Sequence, residues 1–330
     1  MILTQTPYRM SFFGGGTDFP EYFEKNGGQV LSTSIDKYCY ISCRRLPPFF
    51  EHKHRIVYSV IEDVSNVEDI KHPAVRAILS EFDDGQGFEI HHDGDLPARA
   101  GLGSSSSFAV GLIHALRAFN GKISSKRLLA DEAIRFEQNV MNEVVGSQDQ
   151  IAASYGGFNN IVFHKNKSYS VRPVIAKSDI VSQLNQNLML FFTGITRFAS
   201  EISKEQLQNV NKNVNTLEVM SEQVDEAMKI LSSSVDAIDD FGILLDDAWK
   251  LKQSLSDKVS SQYINDLYQI AKSKGAIGGK ILGAGGGGFI LFYARPEFHD
   301  QIKNALSTLI HVPFQFENFG SRISVYQPEK

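Results

Sequence analysis

The 330-residue chain is 42% apolar and 22% charged, with a formal net charge of -5. That supplies one large core or two ordinary ones and excludes a disordered chain, while the mild acidity argues against a broad nucleic-acid or membrane-surface footprint. Cys39 and Cys43 are too few for a disulfide framework or structural zinc, no run of eighteen apolar residues occurs, and MILTQTPYRM lacks the layout of a leader, so a soluble protein of the reducing cytoplasm is expected.

In chain order, runs rich in β-branched and aromatic residues predict strands over 29–35, 38–43, 55–60 and 87–91. Helical spacing predicts a helix over 105–119, closed by Asn120-Gly121, and another over 126–142 with Leu129, Ala133, Phe136 and Val140 as its buried stripe. Residues 158–163 and 168–173 read as a hairpin turning at His164 to Lys167, and polar 177–186 reads as a domain junction near residue 183. An apolar strand, 188–192, opens the second half. The polar stretch 200–274 is helical, with Val210, Val214, Leu217, Val224, Met228 and Leu231 spaced to suit a helical hairpin packed on a sheet, and without the clean heptads of a coiled coil. Strand-like 289–293, a helix near 296–309, and strand-like 314–316 and 323–326 close the chain. An α+β architecture of two layered units is expected, over 1–183 and 184–330.

Three glycine clusters stand out: FFGGGTDF at 12–19, AGLGSSSS at 100–107 and LGAGGGGF at 282–289. The last matches G-x-G-x-x-G, but FILFY follows it as a strand rather than a helix, so the dinucleotide reading fails. The loop G-x-x-x-x-G-K-[ST] is absent too, since Ile281 follows Gly279-Lys280. The middle cluster runs straight into Phe108, Leu112, Leu116 and Phe119, so its serines read as a helix N-terminus. Unpaired N–H groups and the helix dipole favour an anion there, and a phosphate fits.

LPARAGLGSSSS resembles the P-x-x-x-G-L-G-S-S-[AS] phosphate loop of the galactokinase, homoserine kinase, mevalonate kinase and phosphomevalonate kinase superfamily, the GHMP kinases. TPYRMSFFGGGTDFP is similar to that superfamily's sugar-kinase motif APGRVNLIGEHTDY, with Arg9 and Asp18 at the matching separation, and KILGAGGGGFILFY is similar to its K-x-x-G-A-G-x-G-G motif. The resemblance spans Pro7 to Tyr293. It implies an amino-terminal domain like ribosomal S5 domain 2, a ferredoxin-like carboxy-terminal domain, and a cleft between them that takes ATP and Mg²⁺. By the same resemblance Gly101, Leu102, Gly103, Ser104, Ser105 and Ser106 would hold the ATP phosphates. Ser105, with Ser104 or Ser106 as alternates, and Glu137 would hold Mg²⁺. Asp149 would be the general base, paired with Arg9, and Gly16, Thr17, Asp18, Gly285, Gly286 and Gly287 would face the acceptor sugar.

Gly15 stands where the sugar-kinase motif has Glu, which counts against galactose. SFFGGGTDFPEYF and GGQVLSTSIDKY resemble the D-glycero-D-manno-heptose 7-phosphate kinases, implying transfer to an anomeric hydroxyl; fucose- and arabinose-type kinases share parts of the wording. Arg44 and Arg55, beside Arg45 and Lys53, are the expected clamp for a distal phosphate, against the alternative of solvated strand ends. The expected partners are ATP and a sugar phosphate, with no nucleic acid and no membrane, and a homodimer is left open. A catalytically silent ligand sensor is the rival class, and retention of Arg9, Glu137 and Asp149 speaks against it.

Overall fold

Residues 1–196 and 199–328 are described by a computed structural model. The first sheet is built on two long antiparallel strands, β1 (Ile2–Phe13) and β2 (Gly28–Arg45). β3 (His54–Val57), β4 (Ile61–Val64), β5 (Phe88–Gly94), β6 (Phe158–Phe163) and β7 (Tyr169–Pro173) extend it. The second sheet holds β8 (Leu188–Phe192), β9 (Gly278–Ile281), β10 (Phe289–Tyr293) and β11 (Ile310–Val312), and the chain ends in β12 (Phe316–Glu317) and β13 (Arg322–Tyr326). The first sheet runs β13-β1-β2-β5-β3-β4, with β6 and β12 also on β2 and β7 on β6.

β1 escapes the sequence pattern because Pro7 interrupts it, and proline is tolerated in a sheet at a bulge. The pairing slips there: Pro7 lies opposite Tyr38 and Tyr8 opposite Ile35, leaving Asp36 and Lys37 as the bulged residues. The two strands expected at 29–35 and 38–43 are therefore one strand with a bulge in it.

The helices follow: α1 (Pro20–Asn26), α2 (Pro73–Phe82), α3 (Ser104–Phe119), α4 (Lys126–Ile134), α5 (Gln148–Tyr155), α6 (Ser178–Asn187), α7 (Ala199–Gln208), α8 (Val214–Leu231), α9 (Asp239–Ser254), α10 (Gln262–Ser273) and α11 (His299–Ala305). α3 is buried along most of its length and lies against β1 and β2. Gly111 permits that approach, since a Cβ there would sit 3.0 Å from Thr6 Oγ1. The helix expected over 126–142 is α4 followed by a π-helical stretch, Arg135–Val140. The wider turn shifts the phase of the residues after it: Phe136 and Glu137 turn inward, and Val140, expected in the stripe, is exposed.

The second sheet has the order β11-β8-β10-β9, each neighbouring pair antiparallel, which is the 4-1-3-2 order of a ferredoxin-like unit. The expected hairpin is α8 and α9, with α9 on β9 and α8 reaching across to β1 and β2. The expected division at residue 183 does not hold for the last strands, because β12 pairs with β2 and β13 with β1. Apolar packing is the reason: one core cluster runs from Ile2, Phe12 and Leu31 to Leu190, Phe289 and Phe314. Of the expected unit 184–330, residues 197–198 and 329–330 lie outside the described residues. Among the described residues no helix is long and apolar enough to cross a membrane.

Candidate active site

The three glycine clusters converge. Gly101 and Gly103 adopt left-handed backbone at φ 87° and 74°, which lets the chain turn sharply into α3. The turn rests backbone to backbone on the third cluster: a Cβ on Gly101 would lie 2.4 Å from Leu282 O, and one on Gly283 2.5 Å from Gly101 Cα. Ser107 N donates to Gly103 O at 2.9 Å, closing the first turn, so the preceding N–H groups point out of the helix end. Ser104 Oγ accepts from Arg99 N at 3.2 Å and braces the approach to the turn.

Arg9 lies at the centre of β1, buried. Its Nε and Nη2 donate to Asp149 Oδ1 and Oδ2 at 2.7 and 2.8 Å, and Nη1 donates to Gly101 O at 2.8 Å. One guanidinium thus ties the carboxylate of α5 to the glycine turn. Asp149 stays a quarter exposed, and each of its oxygens keeps a lone pair beyond the bond to Arg9.

Glu137 is fully buried by the π-helical stretch. Its Oε2 accepts from Ser106 Oγ at 2.8 Å and from Gln150 Nε2, while Oε1 has no hydrogen-bond partner. Burial pushes this carboxyl up to about 7, against the pull of those two bonds and with help from Glu143 and Asp149. A buried carboxylate oxygen without a partner, beside a hydroxyl, is a donor set that suits one Mg²⁺, an ion that takes few protein ligands and keeps several waters. The hydroxyl on Glu137 is that of Ser106; Ser105, the expected metal ligand, is exposed at the helix end, because helical rotation turns the following residue inward.

Two lysines lie beneath the glycine turns. Lys252 of α9 donates to Ile281 O at 3.0 Å and to Gly283 O, and Lys280 of β9 donates to Phe12 O at 2.6 Å. Burial lowers both ammonium groups, Lys280 to about 7, and Arg9 lowers each further. Lys280 heads the third motif and was visible in the sequence; nothing distinguished Lys252 from its neighbours on a polar helix.

The acceptor-side residues divide. Asp18 is buried, with Oδ1 accepting from Gly16 N at 2.9 Å and Oδ2 from Gln148 N at 3.3 Å, so it fixes the start of α5. Burial, then the nearby Asp149, raise its carboxyl. Thr17 is buried and bonds Gly14 O and Gln29 O. Gly16 faces an apolar cleft with Leu207, Val210 and Leu217. Gly285 and Gly287 pack on Val259 and Ile195, and Gly286 N donates to Val259 O at 2.8 Å, so these three are anchored on neighbouring loops of the second half of the chain.

Arg44 and Arg55 are not brought to the cleft. Ser34 lies opposite Arg9, and Arg44 is ten residues further along β2, roughly 30 Å at the rise of a strand. There Arg44 pairs with Glu89, and Arg55 pairs with Asp63 at 2.8 Å. Both belong to an ion-paired strand end.

A helix N-terminus beside a partly exposed carboxylate, with Glu137 and Ser106 alongside, is an arrangement that suits phosphoryl transfer, whose work is to position reactants and offset phosphate charge. The family descriptions "GHMP kinases N terminal domain" and "GHMP kinases C terminal" match residues 69–157 and 234–310. The chain is 32% identical over 89% of its length, and 90% of the relative's, to the D-glycero-alpha-D-manno-heptose 7-phosphate kinase of Campylobacter jejuni. It is 27% identical to the bifunctional fucokinase/GDP-fucose pyrophosphorylase of Arabidopsis thaliana, over 88% of this chain and 30% of that one. Among solved structures it superposes with a TM-score of 0.80 on a D-glycero-D-manno-heptose 1-phosphate kinase from Bacteriodes thetaiotaomicron, at 22% identity over 99% of this chain and 100% of that one. The chain belongs to the GHMP kinases and is an ATP-dependent sugar kinase of that family.

Proposed function

We propose that this protein transfers the γ-phosphoryl group of ATP to the anomeric hydroxyl of D-glycero-D-manno-heptose 7-phosphate, giving the 1,7-bisphosphate for nucleotide-activated heptose. The observation that carries the mechanism is the Arg9 guanidinium bridging Asp149 and Gly101 O, which holds base and phosphate turn in one frame. The heptose acceptor is supported by the 32% identity to a relative of that name.

In the proposed reaction the N–H groups at the start of α3 bind the phosphates. The acceptor oxygen attacks the γ-phosphorus, the bond to the ADP oxygen breaks, and the acceptor proton passes to Asp149. Because such transition states are loose, the proton moves late and Asp149 acts chiefly by orienting the hydroxyl. Arg9 keeps the carboxylate in place and adds positive charge beside the phosphates. Glu137 Oε1 and the Ser106 hydroxyl would hold Mg²⁺, which neutralises phosphate oxygen charge when bound.

A screen of ADP release over heptoses and hexoses, with and without distal phosphates, tests the reading when ³¹P NMR locates the new phosphate. The expected result is fastest turnover of the heptose 7-phosphate with the new phosphate on C1; phosphate on another carbon overturns it. A second reading, an unphosphorylated sugar such as fucose, is favoured by one observation: the expected clamp, Arg44 and Arg55, lies far from the cleft. Equal turnover of the sugar lacking its distal phosphate would select it.

A further inference from the structure

Among the described residues three lysine and arginine side chains are buried, Arg9, Lys252 and Lys280, and all three end at the glycine clusters. Arg9 donates to Gly101 O, Lys280 to Phe12 O, and Lys252 to Ile281 O and Gly283 O. A buried cation is normally neutralised by a carboxylate. Arg9 has Asp149, whereas neither lysine has a carboxylate partner among the described residues.

Lys252 is out of place by pattern. The buried face of α9 carries Phe241, Leu245, Ala248 and Trp249, and Lys252 follows at the spacing of the same apolar stripe. An apolar side chain there would avoid burying an ammonium, and like charge from Lys280 and Arg9 adds to the penalty of its desolvation. What the ammonium does instead is hold Gly283 O. Gly283 in turn lies backbone to backbone on Gly101: a Cβ on it would meet Gly101 Cα at 2.5 Å and Gly101 O at 2.9 Å. With no side chain between the two turns, a shift of Gly283 is passed to Gly101 and so to the start of α3.

Resting on the reading that the turn into α3 binds the ATP phosphates, we infer that Lys252 is a positioning residue for phosphoryl transfer. Its hydrogen bond to Gly283 O holds Gly101 and the N–H groups after it aligned before the nucleotide arrives, so that binding need not first order the turn. Lys280 is the natural comparison. It is also buried and also lies within reach of the Arg9 charge, but its ammonium grips Phe12 O beside the first cluster and bonds no atom of the third. The two lysines therefore share any effect of charge and differ in the turn they hold.

The experiment measures the KM for ATP, the KM for the acceptor that the wild type turns over, and the affinities for ADP and adenosine, below about pH 7 where Lys280 keeps most of its proton. Lys252→Met is expected to raise the ATP KM and weaken ADP about three- to tenfold, the worth of one hydrogen bond, with adenosine affinity and acceptor KM within about twofold. Lys280→Met is expected to leave the ATP KM within about twofold. A merely structural role would weaken ADP and adenosine alike, and an effect of charge would raise the ATP KM equally in both variants. Either result overturns the inference, as does an unchanged ATP KM in Lys252→Met. Where Lys252→Met does not fold, Lys252→Gln, with a shorter, uncharged head that keeps N–H donors, is read by the same criteria. Gly103→Ala, which strains the phosphate turn at φ 74°, separates the two readings. If it loses ADP affinity while Lys252→Met keeps it, this inference alone fails; if it keeps ADP affinity, the phosphate-turn reading fails and this inference with it.

Discussion

At the Ser34 end of β2, Arg9 is buried and its carboxylate partner Asp149 keeps an open face, while Glu137 nearby keeps a bare oxygen. At the Arg45 end, Arg44, Arg45 and Arg55 are paired with Glu89, Asp84 and Asp63, and Arg45 also stacks on Phe88 at 4.2 Å. The residue types are the same. The difference is position: the outer pairs lie at a strand end where Arg44 is half-exposed, although Arg45 Nε and Glu89 Oε2 there also lack hydrogen-bond partners, whereas the inner groups surround the glycine turn, with Asp149 a quarter exposed and Glu137 Oε1 bare. Charge type in the sequence therefore identifies neither set, and depth in the sheet separates them.

Removing the inner carboxylate should have the largest effect. Asp149→Asn is expected to lower kcat on the order of 10²–10⁴-fold, with ATP affinity kept within about threefold, as steady-state kinetics and nucleotide titration would show. Unchanged turnover would strip Asp149 of its role and dissolve the contrast between the two ends.

Glu137→Gln should follow, with turnover at saturating Mg²⁺ down by on the order of 10². Its stability tells more. Burial raises the Glu137 carboxyl from 4.5 to about 7, so between those values the native state holds a proton that the unfolded chain has released. That contribution to stability falls as pH rises from 4.5 to 7 and is fully lost above. In Mg²⁺-free buffer the Tm of Glu137→Gln should gain on the wild type across that window; a constant difference would show that the carboxyl is not desolvated.

Lys280 carries the opposite sign. Its ammonium drops from 10.5 to about 7, so the unfolded chain binds the extra proton between those values and stability rises with pH there. Lys280→Met should flatten the rise of Tm from pH 7 to 10.5, and an unaltered slope would place the charge elsewhere. At the outer end the effect should be smallest: Arg44→Ala and Arg55→Ala break half-exposed ion pairs, each worth about 0–1 kcal/mol, and should leave both KM values within about twofold. A selective rise in the acceptor KM would return these arginines to the site.

Much of the cleft was legible because its chemistry is local. The turn into α3 needs glycines and small polar residues in a row, and the pairing of Arg9 with Asp149 followed from the motifs that carry them. The ends of β8 and β10 were also readable, being short apolar runs. β1 was not, since the proline that argues against a strand sits on a bulge visible only once β2 is beside it. The inward turn of Glu137 depended on a π-helical stretch that regular periodicity misplaces, and it is Ser106, one of the two alternates to Ser105, whose hydroxyl meets Glu137. The return of β13 to β1 joins residues more than 300 apart in the chain, beyond the reach of any local pattern.

A crystal structure with Mg²⁺ and a non-hydrolysable ATP analogue bears most directly on the phosphate turn. The β- and γ-phosphates should lie on the N–H groups of residues 103–106, with the ion between them and Glu137 Oε1. A triphosphate bound away from that turn, or an ion that leaves Glu137 bare, would contradict the mechanism at its root.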